Sequence, residues 1–316
     1  MRQPLVSVLI PCYNAGRFIA HTIRSAQQQT HKDLEIIVID DGSTDDSAAI
    51  VRSFPEVILV QQPNGGVPAA RNAALAHSLG AFIQYLDADD LLAPQKIEHQ
   101  LARLSGGNED CVATCAWGRF RTEPDEVVFQ PWATWRDLGA LDWLAADRIN
   151  GIGMMWPAMW LIPRQIALDA GPCNEALRYS PDEDGEYLTR VVLKARRVLF
   201  CPEAKAYYRS GHANTQSHGR SIRAFEGQVK VTELCQRHVL AAEPSERMRV
   251  GFAKAWQHLA HACYPYTPAI ANDALRRARE LSDVTIHPDG GPVFKATSSL
   301  VGWKIARKLQ VLSGRP

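Results

Sequence analysis

Short apolar runs alternate with amphipathic stretches through the first hundred residues, and this rhythm constrains the fold more than any other feature. "VSVLI" (6–10), "LEIIVID" (34–40), "EVILVQQ" (56–62) and "AFIQYLDADD" (81–90) read as strands, the last running into its polar end. The second is almost continuously apolar, as expected of a strand covered on both faces. Between them, residues 17–29, 43–54 and 67–80 read as helices. The first sets Phe18, Ile19, Ile23 and Ala26 on one side, the second opens on capping residues, and the third stops at a glycine. A fourth helix, 94–104, carries Pro94 in its first turn. Strand and helix repeated at this spacing predict βαβ units and a mostly parallel sheet, hence an α/β fold.

Polar clusters stand where such a sheet binds ligands, at the carboxyl ends of its strands. "PCYN" (11–14) follows the first strand, the acidic turn from Asp40 to Asp46 follows the second, and "DADD" (87–90) ends the fourth. Three separate segments therefore converge on one edge. The last is the most pointed, because a run that is apolar apart from Gln84 ends in Asp87, Asp89 and Asp90. Hard divalent cations such as Mg²⁺ and Mn²⁺ take carboxylate oxygens, so a cation is the natural partner for this charge. Capping and solvation of a strand end is the plainer alternative.

The chain of 316 residues has room for one large domain and a smaller appendage. A net charge of +1 gives no sign of bulk nucleic-acid binding. Seven scattered cysteines without a CxxC pair read as reduced thiols. The start of the chain lacks the features of a signal peptide, and the apolar stretch 152–162 is too short to span a bilayer and is broken by Pro157. The expected location is cytoplasmic. Residues 111–180 are rich in tryptophan, read as core for the most part rather than as a sugar platform. From Ser221 onward the texture is helical: Met248, Phe252, Ala255, Leu259 and Ala262 keep helical spacing, as do Ile270, Ala274, Ala278 and Leu281. A final helix over 298–312 aligns Val301, Ile305, Leu309 and Leu312 opposite Lys304, Arg307 and Lys308. Its apolar side is expected to pack on the catalytic domain. A peripheral contact with the inner face of a membrane is the alternative, and a homodimer through an exposed tail is a third arrangement.

Five motifs, in order, resemble the family 2 glycosyltransferases, inverting enzymes of the GT-A fold. They are "VSVLIPCYN" (6–14), "IIVIDDGSTDDS" (36–47), "NGGVPAARNAAL" (64–75), "YLDADDLLAP" (85–94), and "DEDGEYLTRVV" (182–192) followed by "YYRSGH" (207–212). The resemblance covers roughly residues 4 to 215. It implies a GT-A domain over 1–220, with a nucleotide-sugar half to about 110 and an acceptor half beyond, followed by a helical region, 221–316. The implied reaction moves one sugar from a UDP- or dTDP-sugar to a glycan or lipid-linked glycan in surface polysaccharide synthesis, with Mn²⁺ or Mg²⁺ as cofactor.

By the same resemblance, Asp87-Ala88-Asp89 is the DxD motif, with Asp89 on the metal and Asp87 facing ribose or sugar. Asp90 is assigned to capping of the following helix. Asp41 would accept the ring N–H of the base, with Asp40 positioning it; the turn also reads as a helix cap through Ser43 or Thr44. Pro11, Tyr13 and Asn14 line the nucleotide, with Tyr13 along the base or simply in a tight turn. Arg71 would sit near base and diphosphate, or in an ion pair with a site aspartate. Asp184 is the implied base, with Glu183 and Asp182 as rivals. Arg209 is assigned to the diphosphate and His212 to the metal. The rival functions are a sugar nucleotidyltransferase, whose basic glycine-rich loop "LIPCYNAGRF" does not match, and a non-catalytic nucleotide- or glycan-binding module, which would have no need of these carboxylates.

Overall fold

The computed structural model describes residues 3–124, 127–211, 221–264 and 266–312. Its main sheet has the order β3–β2–β1–β4, all parallel: β1 (Val6–Cys12), β2 (Leu34–Asp40), β3 (Val57–Gln61) and β4 (Phe82–Tyr85). Every residue of β1 is buried, as the central position demands. Helices α1 (Ile19–Gln27), α2 (Ser47–Arg52) and α3 (Val67–His77) make the crossovers. The expected α/β class is thus present, with several helix ends trimmed by two or more residues.

The largest trimming is physical in origin. The helix expected over 43–54 begins only at Ser47, because its first residues bind the neighbouring turn instead. The Asn14 amide donates to Ser43 Oγ (2.9 Å), the Thr44 amide to Asn14 Oδ1 (2.8 Å), and the Gly16 amide to Asp45 Oδ2 (2.9 Å). Capping by Ser43 or Thr44 therefore does not occur; Asp45 Oδ1 accepts the Ser47 amide at 3.0 Å. Asn14 takes φ +48°, which asparagine tolerates better than most residues.

The chain continues through β5 (Leu91–Leu92), α4 (Lys96–Leu104), β6 (Val112–Phe120), β7 (Leu138–Gly139), α5 (Ala140–Asp147), β8 (Ile162–Pro163), α6 (Arg164–Asp169), α7 (Glu183–Lys194) and β9 (Arg197–Arg209). β8 adds antiparallel to β4. β9 lies between β5 and β6 in a second sheet, and Leu91 faces Tyr207 there. That register carries the end of β9 to the acidic turn after β4. Trp117, Trp143, Trp156 and Trp160 are buried, in keeping with core. All seven cysteines are free.

The last third is helical: α8 (Ile222–Ala242), α9 (Glu246–Cys263), α10 (Pro268–Leu281), α11 (Pro292–Val301) and α12 (Trp303–Leu312). Met248, Phe252, Ala255 and Leu259 are buried on α9, whereas Ala262 is exposed. The helix expected over 298–312 is broken at Gly302, whose φ of +79° suits glycine alone. Its orientation also reverses the expected packing. Trp303 meets His261 and Tyr264 and Ala306 is buried, while Val301, Ile305, Leu309 and Leu312 face outward. Among the described residues, no helix is long and apolar enough to cross a membrane.

Candidate active site

A cavity of about 950 Å³ opens at the carboxyl edge of the main sheet. Pro11, Tyr13, Asn14, Asp41, Arg71, Asp87, Ala88, Asp89 and Asp184 all line it, so the fold brings together most of the residues singled out by sequence. His212 lies outside the described residues.

The cavity wall at the end of β2 is held by Asp41, which is buried. Its Oδ1 accepts Gln62 Nε2 (2.7 Å) and the Gly65 amide (2.9 Å), and its Oδ2 accepts the Gly66 amide (2.8 Å). A carboxylate has about four acceptor positions, so three are filled and one remains on Oδ2. The paired glycines permit this: a Cβ on Gly66 would lie 2.8 Å from Arg178 Cβ, and its φ is +90°. Asp40 accepts the Ser43 amide and Gln61 Nε2 at 3.1 and 2.9 Å, which ties the turn to β3. Tyr13 stands half exposed at the cavity wall.

The acidic turn after β4 is braced from several sides. Thr22 Oγ1 donates to the carbonyls of Ala88 (2.9 Å) and Asp90 (3.0 Å). Asp90 does not cap a helix, since α4 begins six residues later behind Gln95. It is buried, and accepts Trp156 Nε1–H at 2.7 Å and the Arg209 amide at 2.7 Å. Burial, then the charges of Asp89 and Asp87, push its carboxyl well above the ordinary range. Arg209, expected at the diphosphate, braces the turn instead. Its Nε donates to the Asp89 carbonyl (2.8 Å), and its guanidinium lies over Phe120 and Phe18, 4.3 and 4.9 Å from their centroids. It is absent from the cavity wall, which Tyr208 and Ser210 reach on either side.

Arg71 lies between two carboxylates. Its Nη1 donates to both Glu183 oxygens at 2.8 Å, and its Nη2 to Asp87 Oδ1 at 2.9 Å. The guanidinium is thereby engaged by side chains of the site, and the clamp ties α3 to the start of α7. Glu183, a rival for the role of base in the sequence, is consumed by this pair. Asp184 follows it in the first turn of α7, half-buried and lining the cavity. Burial and the neighbouring Glu183 push the Asp184 carboxyl well above the ordinary range, against the pull of Arg71. A carboxylate so placed is a stronger base than a solvated one.

Fit to a divalent cation rests on the donor set. Asp87 and Asp89 are half-buried carboxylates on one cavity wall. Among the described residues, no group of three or more His, Cys, Asp or Glu side chains is arranged to hold a metal. Such a pair suits an ion that fills its remaining positions with phosphate oxygens and water, as Mg²⁺ commonly does.

Three features escaped the sequence reading. Thr22 was legible only as a polar residue among apolar neighbours on α1. The Trp156–Asp90 bond joins residues 66 apart and carries no local signal. The opposite cavity wall comes from the helical region: Gln228 and Thr232 of α8, and His258 and Leu259 of α9, joined by Arg148 and Asp182.

The model of the glycosyl transferase family 2 matches residues 7–167. An uncharacterized glycosyltransferase of Rickettsia typhi is 32% identical over 188 residues, which are 58% of this chain and 57% of that protein. The chain thus spans little more than half the length of that relative. The Staphylococcus aureus TarS 1–349 structure in complex with UDP-GlcNAc superposes with a TM-score of 0.70 at 16% identity, over 99% of this chain and 93% of that one. The mannosyltransferase PcManGT of Pyrobaculum calidifontis, in complex with GDP-Man and Mn²⁺, gives 0.54 at 16% identity, over 99% and 85%. With its GT-A architecture and the family match across half its length, this chain belongs to glycosyltransferase family 2.

Proposed function

We propose that this glycosyltransferase inverts the anomeric centre as it moves one sugar from a UDP- or dTDP-sugar to a hydroxyl of a glycan or lipid-linked glycan, in surface polysaccharide synthesis. The observation that carries the proposal is the meeting of Asp184, Asp41 and the Asp87–Asp89 pair in one cavity. The acceptor oxygen attacks the anomeric carbon while the bond from that carbon to the diphosphate oxygen breaks. The bonding pair leaves with the diphosphate, and the acceptor proton passes to an Asp184 Oδ. One displacement inverts the centre. Asp89, with Asp87 beside it, would hold a divalent cation, which neutralises charge developing on the leaving diphosphate when bound.

The single acceptor position left on Asp41 supports a uracil or thymine donor. Either base offers one ring N–H between two carbonyls. Guanine presents a paired N1–H and N2–H edge, which wants both carboxylate oxygens open, and Asp41 Oδ1 is already filled by Gln62 and Gly65. The wall formed by Gln228, Thr232 and His258 with Leu259 and Trp156 mixes polar and apolar surface, as a pyranose does, and is the proposed acceptor side.

Thermal shift with UDP, dTDP, GDP and CDP, each with and without Mn²⁺, tests the donor reading. UDP or dTDP should raise the melting temperature most, in the presence of metal, and Asp89→Ala should abolish the metal-dependent part. Stabilisation by GDP above UDP and dTDP would sink the reading of Asp41.

A further inference from the structure

Asp182 stands two residues before the proposed base and has no place in the displacement. It occupies the N-cap position of α7 and opens on the cavity. Its Oδ2 accepts Gln228 Nε2 at 3.0 Å, which fixes the carboxylate against α8. Among the described residues that is the one hydrogen bond to its side chain. A carboxylate offers about four acceptor positions, so most of its capacity stays open. Arg148 lies in the same cavity wall, at the carboxyl end of α5, with its guanidinium over Phe252, 4.9 Å from the ring centroid. Among the described residues no hydrogen bond or ion pair engages that guanidinium. Only its Nε is buried without a partner, so the two terminal nitrogens stay accessible. The two opposite charges act on each other without closing. Desolvation by the surrounding protein pushes the Asp182 carboxyl up, and the Gln228 hydrogen bond and then the Arg148 charge pull it back. Donor fork and acceptor carboxylate thus border one cavity, close enough to interact and too far apart to pair.

Hydrogen bonding and charge select what fills the gap. Two adjacent hydroxyls of a pyranose fit it: one accepts from the Arg148 terminal nitrogens while the other donates to Asp182. A carboxylate or phosphate could accept from Arg148, but it has no proton for Asp182 and would stand against its charge. The whole cavity favours the same choice. Its described wall carries eight acidic side chains against four arginines. A divalent cation and a nucleotide diphosphate bring roughly opposite charges, so that excess remains when the donor is bound. Val231 and Leu259 in the same wall offer apolar surface to a ring face. We infer that Asp182 and Arg148, with Gln228 behind Asp182, form a subsite that selects a neutral acceptor sugar by two adjacent hydroxyls and sets its nucleophilic hydroxyl toward Asp184. This rests on the acceptor reading above and narrows it to a neutral sugar at the point of attachment.

Saturation-transfer NMR titration of the full chain, with UDP or dTDP and Mn²⁺ present, is the test. The probes are methyl glucopyranoside, methyl galactopyranoside, methyl N-acetylglucosaminide and methyl glucuronide. At least one neutral glycoside should bind, and more tightly than the glucuronide. Arg148→Met and Asp182→Ala should each weaken that binding about tenfold or more, as the loss of a charge-assisted hydrogen bond does. Asp182→Asn separates contact from mere support. It keeps an oxygen for Gln228 and removes the charge, so the glucuronide should gain on the neutral glycosides. The melting temperature of each variant is taken with and without nucleotide, and the nucleotide-induced shift should match that of the parent. Binding of no neutral glycoside overturns the inference. So does a Kd unmoved by both Arg148→Met and Asp182→Ala, or a glucuronide that the parent binds more tightly than every neutral glycoside. A missing nucleotide shift in the parent sinks the donor reading and the subsite with it. A nucleotide shift without glycoside binding sinks the subsite alone.

Discussion

Replacing Arg71 by methionine keeps much of the side-chain volume and removes a guanidinium that holds two carboxylates. The Arg71 side chain is 4% exposed, Glu183 is 7% and Asp87 is 27%. Breaking a buried pair by removing one partner costs about 3–5 kcal/mol, because the other charge stays buried without compensation. The Asp87 pair is partly solvated, so its share is no more than about 1 kcal/mol. The expected loss is about 4 kcal/mol, a large part of the 5–15 kcal/mol usual for a folded protein. Urea denaturation read by circular dichroism measures it. Adding Glu183→Gln to Arg71→Met removes the stranded charge, and should restore a substantial part of the loss. The pH dependence follows from the sign of the shift. Burial already raises Glu183 and Arg71 opposes that rise, so without Arg71 the folded-state value climbs further above the unfolded one. A carboxyl raised in the folded state costs no stability below its unfolded value and progressively more as pH rises from there to its folded value. The deficit of Arg71→Met should therefore be larger above neutrality than in mild acid. A loss under about 1 kcal/mol, or a double variant no more stable than the single one, would refute the clamp as described.

Two further outcomes follow from the same geometry. Asp184→Asn should lower kcat by about 10²–10⁴-fold while leaving donor-induced thermal shifts intact. Because the Asp184 carboxyl is raised in the fold, the same variant should be more stable than the parent at neutral pH, with the gain vanishing as pH falls below the ordinary carboxylate value; a variant less stable at neutral pH would contradict the placement of that charge. Gly66→Ala should cost about 1–3 kcal/mol, since the left-handed backbone and the 2.8 Å approach to Arg178 leave no room for a methyl group. It should also raise the donor KM by displacing the amide that holds Asp41, and an unchanged KM would separate the glycine pair from base recognition.

The parallel sheet and the carboxyl-edge site were legible in the sequence because both are local. A buried parallel strand must be continuously apolar, a crossover helix must show helical spacing, and ligand groups collect where strands end. Asp41, Asp87 and Asp89 could be placed on one edge on that basis, whereas Asp184 joined them only through the family resemblance. Tertiary structure decided what each charged group does there. Arg71, Arg209 and Asp90 sit in motifs whose spacing says nothing of distant partners. Glu183 is 112 residues from Arg71, and Trp156 is 66 from Asp90, so only the folded chain turns the first into a clamp and the second into a brace. The helical region shows the same division. Periodicity indicated that 298–312 would be helical and amphipathic, yet it could not say which face turns inward. That depended on Trp303 finding His261 and Tyr264, a contact that leaves the apolar stripe facing outward.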